Sequence, residues 1–489
     1  MEDLAKLINR YYGHPIIAER MVEFLGESPI DDATAIYVCG TEGEPDPDAF
    51  EPLPATRLSE LLERGSEIGR SLWDRKFLIA DLDIDYENFD SAAEPYLDDS
   101  RTFHILQPVI DTALKVLGAS GIRPLHLIGG RGHHLVWAIR YDSTAFSQLA
   151  HLGNIPPSLM ALYDRKSIEF GHGIHPCLAR AFAGMGMLLE FTAHRILSLA
   201  APSCPVPIQL TAVEVGPGDG RREIVSLDIS EYGDPLHLRH IRVPFSLYLK
   251  PRRLSWCLGE DGVRQLLPLF EIPLEGTSMD EAVRARHDPE AVLDLAARSS
   301  VRIPDESEGS FNLLHEYKKS ELAGFHDDFY SCQAEAAERA ESDPAIRDLE
   351  ALPPCTRWIL DHPNDWLLKP GGLQHLTRTF MSLGWHPRKI AELIRLQYQA
   401  DFGWNNRWLR YDAAYRAMFY VRLFSGLICT GQDELIDFNC VSNREKGYCT
   451  VGECNWNLIP YQQALITRRQ HGRLDHRSVD RLLLEGRNL

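Results

Sequence analysis

The segment KFLIADLDID (76–85) spaces Asp81, Asp83 and Asp85 two residues apart inside an apolar run. Its apolar, β-branched character predicts a buried strand. On a strand the side-chain period is two, so the three acids share one face and Leu82 and Ile84 the other. The chain is therefore expected to hold a strand with one face in a core and the opposite face carrying concentrated negative charge. Carboxylates on one face repel each other unless a cation sits between them, and hard oxygen donors suit Mg²⁺ or Mn²⁺. Asp81 and Asp83 are the expected ligands. Asp85 has the same parity and extends the set toward the following loop.

A second apolar run, EIVSLDIS (223–230), ends in Asp228 in the same way. Strand ends often carry Asp for turns. Three such acids on neighbouring strands have a further use, holding two metals for in-line attack on a nucleotide α-phosphate. Between these runs lies Gly129-Gly130-Arg131-Gly132-His133-His134, flanked by PLHLI and LVWAI, which predicts strand, turn, strand. Its glycines let the backbone turn tightly and approach a ligand, although a plain hairpin would use them too. His133 and His134 are adjacent, so on a strand only one of them enters the site.

RHIRVPFSLYLK (239–250) alternates apolar residues with Arg242, Ser246, Tyr248 and Lys250, which predicts a half-buried strand with a cationic face. Pro244 argues for an edge or a bulge. Straight, the chain from 242 to 250 spans roughly 26 Å, so Ser246 plus either Arg242 or Lys250 is the economical phosphate contact.

Across the chain, residues 1–25 read as an amphipathic helix pair, AIYVC (35–39) as a strand, 40–56 as a loop and FHILQPVIDTALKVLG (103–118) as a helix. Mixed strands and helices to about residue 275 predict an α+β domain, 1–275. The stretch 276–350 is helical and acidic, with DESEGS (305–310) as an exposed break. Residues 351–489 are rich in helix, Trp and Arg, and close with a cysteine-bearing loop and a basic tail.

The composition, 44% hydrophobic and 25% charged, is that of a soluble globular protein. No apolar run reaches membrane-spanning length, and the charged, helix-like N-terminus is unlike a signal peptide, so the expected location is cytoplasmic. The ten cysteines are then expected free, buried or metal-bound. A net charge of −19 argues at first against a nucleic-acid partner. The charge is uneven, however: from Cys355 onward there are 18 Lys and Arg against 13 Asp and Glu, so that region tolerates a phosphate backbone best.

Taken in order, LIADLDID, GGRGHHLVW and VSLDISEYGDPLHLRHIRVPFSLYLK resemble the archaeo-eukaryotic primase superfamily, over about residues 76–250. The resemblance implies an RRM-like core with mixed and antiparallel sheets. It places the metal-binding acids on Asp81, Asp83 and Asp228, with Asp234 as a rival for the third. It implies nucleotide contacts from Arg131, His134, Arg242, Ser246 and Lys250, His134 touching the phosphates. Ile128 stands where many members have Ser. A zinc knuckle from His172, His175, Cys177 and Cys204 lacks any CxxC, and buried or capping roles suit these residues better.

The C-terminal region resembles the iron–sulfur domain of the primase large subunit. One distant cysteine, Cys355, precedes Cys440, Cys449 and Cys454, the pattern that holds a [4Fe–4S] cluster there. Zinc is the alternative, although structural zinc usually shows tighter pairs. Cys429, in the apolar run GLICTG, is expected in the core and is the reserve ligand. By the same resemblance His375 and Arg378 would grip the triphosphate of an initiating nucleotide, and Tyr420 and Arg422 would lie near the template. In isolation each pair reads as an ordinary surface helix.

The expectation is an α+β domain followed by a helical connector (276–350) and a helical iron–sulfur domain. The expected activity is that of a DNA primase or primase-polymerase: a template-dependent nucleotidyltransferase taking NTPs or dNTPs on single-stranded DNA. The rivals are a repair or gap-filling polymerase with weak priming, and a non-catalytic nucleic-acid-binding protein of a defence system.

Overall fold

The computed structural model describes residues 4–42, 51–211, 221–274, 276–332, 352–361, 370–398, 411–450 and 454–470. The basic tail and the end of the expected 276–350 connector lie outside them. The chain divides into two compact units, each described by itself: Met1–Gly153 with Met160–Leu210 and Glu223–Leu314, and Asn154–Leu159 with Thr211–Arg222 and His315–Leu489. The division after Leu314 cuts through the expected connector, whose helices Met279–Ala285 and Pro289–Arg298 belong to the first unit.

The first unit is α+β. Its strands are β1 (Val38–Thr41), β2 (Glu51–Leu53), β3 (Glu67–Ser71), β4 (Phe77–Asn88), β5 (Leu125–Ile128), β6 (Gly132–Arg140), β7 (Ile208–Leu210), β8 (Glu223–Asp228), β9 (His240–Arg242) and β10 (Ile272–Pro273). They form an antiparallel sheet in the order β2-β1-β3-β9 and a six-stranded sheet in the order β10-β5-β6-β4-β8-β7. The six-stranded sheet is mixed, because β7 runs parallel to β8 while its other pairs are antiparallel. Strand β2 falls where a loop was expected.

The two-faced character of β4 is realised. Leu82, Ile84 and Tyr86 are fully buried. Helices Asp99–Ala119 and Pro176–Ala200 pack against β4. The first begins at Asp98, whose carboxylate accepts the Arg101 N–H at 3.0 Å; the second at His175, whose ring accepts the Cys177 N–H at 3.2 Å. Burying Leu82, Ile84 and Tyr86 contributes roughly 1.5–3 kcal/mol each. That gain pins the register, since a slip of one residue would carry the acids into the core.

Two expectations about the backbone need correction. The predicted strand 239–250 exists only as β9. After Arg242 the chain turns through Pro244 and through Phe245, whose φ of 68° is left-handed, and Lys250 opens a 3-10 turn. The alternation in the sequence is real, but Pro244 has no N–H for a ladder and the positive φ breaks extension. DESEGS is not a break in the fold. Pro304 accepts the Ala138 N–H at 2.8 Å and the Glu306 N–H reaches the Ala138 carbonyl at 2.9 Å, so this stretch docks on β6 beyond the end of β5. The reason is that β5 pairs only with residues up to Val136, leaving Ala138 without a β5 partner on that side.

The second unit is helical among its described residues, with helices Glu321–Ser331, Pro354–Asp361, Pro370–Ser382, Pro387–Tyr398, Ala413–Cys429, Cys440–Glu445 and Ile459–Gln470. Every residue of 371–382 is buried, as is nearly all of 413–428. No helix among the described residues is long and apolar enough to cross a membrane.

Candidate active site

Asp83 is paired in register with His134 of β6 on one side and with Asp228 of β8 on the other. Three residues far apart in sequence thus form one row across the middle of the six-stranded sheet. Asp81 lies two residues back on the same face of β4. Strand β8 pairs only from Asp83 onward, so the Asp81 backbone has no ladder on that side. The Tyr232 hydroxyl supplies the missing partner, accepting the Asp81 N–H at 2.9 Å and donating to its carbonyl at 3.2 Å.

The row floors a cavity of about 190 Å³. Asp81, Asp83, Asp85, Asp228 and Glu231 line it together with His134, Arg239, Arg242 and Lys250. The Asp83 side chain is 26% exposed and that of Asp81 only 1%. Asp83 is therefore the acid that opens to the cavity, while Asp81 is held from behind by His134, whose Nδ1 lies 3.0 Å from Oδ2.

The electrostatics follow from this crowding. Burial lifts the Asp83 carboxyl well above the usual carboxylate range, and Asp85, Asp228 and Asp81 add to the effect against His134. Burial works against a charged His134, yet Asp81 and Asp83 outweigh it and hold the imidazole well above its ordinary value. For Asp85 burial is again the largest influence, but Arg131, Lys250 and His134 reverse it and keep the carboxyl low. Burial and then Asp81 raise Glu231, with Arg239 opposing. One buried oxygen of Asp83 and one of Glu231 have no hydrogen-bond partner.

The glycine turn serves close approach. A Cβ at Gly132 would lie 2.0 Å from Asp85 Oδ1, and one at Gly130 would lie 2.4 Å from the Tyr248 ring. Buried Arg286 holds the turn, donating to the Gly129 carbonyl and, at 2.9 Å, to that of Gly130, while pairing with Asp99 at 3.1 Å. His133 points away from the cavity into the core, where its Nδ1 meets His126 Nε2 at 2.8 Å. The expectation that only one of the two histidines enters the site is met by His134.

The cations divide. Arg242 lines the cavity but is already paired with Glu67 at 2.7 Å and Glu271 at 2.8 Å, with its guanidinium 4.2 Å from the Tyr248 ring centroid. Lys250 is more open and reaches Asp85 only at 4.0 Å. The bend after Arg242 brings both onto one cavity, which a straight strand would have forbidden. Arg131 is turned to Glu87 and to Asp85, 3.2 Å away, and does not line the cavity. Nor does Ser246, which is buried, accepts the Ile68 N–H at 2.7 Å and stands 3.5 Å from the Tyr12 hydroxyl. Asp234, the rival for the third acid, is buried against Arg239 and also lies off the cavity. Glu231, Arg239, Glu67 and Tyr232 join the site or its support without any sequence signal. They sit in turns or on a short strand, where no strand or helix period singles them out.

In the second unit the expected nucleotide-gripping residues are interior. His375 is buried with Nε2 2.8 Å from Thr356 Oγ1, and burial, with help from Lys446 and Arg378, pushes its imidazole down to about 3. Arg378 is buried and clamped by Asp433 at 2.7 Å and Asp437 at 2.8 Å, and Lys446 closes the network on Asp437. Tyr420 and Arg422 are buried as well, Arg422 donating to Tyr330 at 2.9 Å. A ligand would have to displace these protein partners, so a surface role for the four residues does not fit their placement.

Cys355, Cys440, Cys449 and Cys454 are thiols outside any disulfide in this unit. Burial pushes Cys355 up to about 12, with Cys449 and Cys440 adding to the effect. Cys454 Sγ lies 3.7 Å from the Trp456 carbonyl. Cys429, expected in the core, is instead exposed at the last position of helix Ala413–Cys429. In the first unit His175 acts as a helix cap and His172 Nε2 lies 3.4 Å from the Arg75 guanidinium. Among the described residues no group of three or more His, Cys, Asp and Glu side chains is gathered closely enough to hold a metal ion as it stands.

Comparison of the chain with protein-family models, with curated proteins and with solved structures finds no match.

Proposed function

We propose that this chain is a template-dependent nucleotidyltransferase of the primase-polymerase kind, joining nucleoside triphosphates to a 3′ end on single-stranded DNA. The observation that carries the reading is the row His134–Asp83–Asp228 with Asp81 behind it, facing Lys250 and Arg242 across one small cavity. Asp81, Asp83 and Asp228 supply hard oxygen donors, and the unpartnered buried oxygen of Asp83 fits a divalent cation of the Mg²⁺ or Mn²⁺ type. Bound there, such ions would activate the attacking hydroxyl and neutralise charge on the departing pyrophosphate. His134, beside both acids on the cavity wall, can donate a ring N–H to a phosphate oxygen. Lys250 is the cation best able to leave Asp85 for a phosphate, whereas Arg242 keeps its two glutamates.

The thiols Cys355, Cys440, Cys449 and Cys454 have the soft donor chemistry of an iron–sulfur site, and that donor set is what supports a [4Fe–4S] cluster. His375, Arg378, Tyr420 and Arg422 are interior, so none of them is placed to grip a second nucleotide. That favours extension of an existing end, as in gap filling, over strong de novo priming.

The deciding experiment is incorporation of labelled NTPs and dNTPs on a single-stranded template in Mg²⁺ and in Mn²⁺, with and without a primer. Incorporation lost in Asp83→Ala supports the reading. Absence of incorporation under every condition, from folded protein, overturns it.

A further inference from the structure

The segment Leu247–Gly259 carries Lys250, Arg252 and Arg253 and no acid, in a chain whose net charge is −19. It leaves the cavity at Lys250, forms the 3-10 turn Lys250–Leu254 and enters helix Ser255–Leu266. Lys250 lines the cavity, Arg252 is exposed and donates to the Glu42 carbonyl at 2.8 Å, and Arg253 has a buried Nε without a hydrogen-bond partner. Trp256 follows, 77% exposed, the most exposed large apolar side chain among the described residues.

An exposed Trp has a cost that a merely structural position would avoid. The segment does bury its other apolar residues. Leu254 and Tyr248 belong to one buried cluster with Tyr96, Leu266 and Leu269, and Leu258 packs against it. Leu254 and Leu258 are four residues apart and face inward; Trp256, midway between them, is turned out. The cluster that seats Tyr248 on the cavity wall thus also fixes the direction in which Trp256 points.

A run of cations followed by an outward-facing indole is the arrangement that single-stranded nucleic acid recognises: phosphates along the cations and a base stacked on the ring. We propose that Arg252, Arg253 and Trp256 form the docking ledge for the single-stranded template next to the cavity, with one base stacked on Trp256. The proposal rests on the nucleotidyltransferase reading for its choice of partner, and its test does not depend on activity.

The full-length Asp83→Ala protein, unable to turn over, is titrated against a fluorescein-labelled oligo-dT strand by anisotropy at several salt concentrations. In that background Trp256→Ala is expected to weaken binding roughly tenfold, the loss of one stacked base, without changing the salt slope. Arg252→Ala/Arg253→Ala is expected to reduce the slope of log K against log salt by about 0.7 for each phosphate that the protein no longer neutralises. Trp256→Phe, which keeps an aromatic face, should restore most of the affinity and so separates stacking from misfolding. Binding unchanged in Trp256→Ala and in the double Arg variant overturns the ledge, even if nucleotide incorporation is found. The expected losses uphold it, even if incorporation is not.

Discussion

Asp83 and Asp228 face each other across the β4–β8 ladder, two carboxylates in register with no basic residue between them. Such a pair is a liability for folding, because burial and neighbouring acids already hold the Asp83 carboxyl far above its ordinary range.

Asp83→Ala and Asp83→Asn are therefore expected to abolish nucleotide incorporation while leaving stability in metal-free buffer unchanged or raised, by about 1 kcal/mol. Added Mn²⁺ should raise the melting temperature of the unmodified protein and leave that of either variant unmoved. Differential scanning fluorimetry with and without Mn²⁺ checks this, and an equal Mn²⁺ response in the variants would remove Asp83 from the metal site.

Arg378→Ala should behave as a core lesion. It leaves Asp433 and Asp437 buried with only Lys446 to offset them, and breaking a buried pair in this way costs about 3–5 kcal/mol. Primed and unprimed synthesis should fall together with thermal stability. A selective loss of unprimed synthesis at unchanged melting temperature would instead show that Arg378 handles a nucleotide.

Acid should destabilise the helical unit in two stages of the same sign. His375 is held near 3, below its unfolded value of about 6.5, so its contribution is present above that unfolded value and is lost as pH falls. The slope is about 1.4 kcal/mol per pH unit while only the unfolded state takes the proton. Arg378 and Lys446 overcome the effect of burial and hold Asp437 below the usual carboxylate range, which adds a further loss below about pH 4. Thermal melts followed by circular dichroism from pH 7.5 to 4.5 test the first stage, and His375→Gln should flatten it.

Protein purified without oxygen is expected to be brown and to carry about four iron atoms per chain. Serine at Cys355, Cys440, Cys449 or Cys454 should lower the iron content, and serine at exposed Cys429 should not. A colourless protein with one zinc per chain would identify the alternative metal.

The residues legible in the sequence were those whose role follows from a local period. Asp81 and Asp83 on β4 follow from alternation, as does the rule that only one of His133 and His134 enters the site, though not which; Asp228 follows from its place at the end of an apolar run. Alternation puts Lys250 and Arg242 too far apart, because it continues through Pro244 and Phe245 while the extended backbone does not. His375 and Arg378 looked like surface positions because their partners, Thr356, Asp433 and Asp437, lie 19 to 59 residues away and no spacing announces them. Glu231 and Tyr232 sit in a turn, where packing rather than periodicity decides what a side chain meets.

The antiparallel ladder that gathers the site also sets when the site can exist. Asp83 is synthesised well before His134, and Asp228 follows only after the long helix Pro176–Ala200, at the end of β8. Asp81, Asp83 and Asp85 crowd one another as soon as β4 is extended, and docking of β8 adds Asp228, so the last of the charge crowding arrives with completion of the sheet. On the proposed reading, an amino-terminal fragment ending before β8 should bind Mn²⁺ more weakly than the full chain, and during refolding the gain of metal affinity should coincide with completion of the sheet.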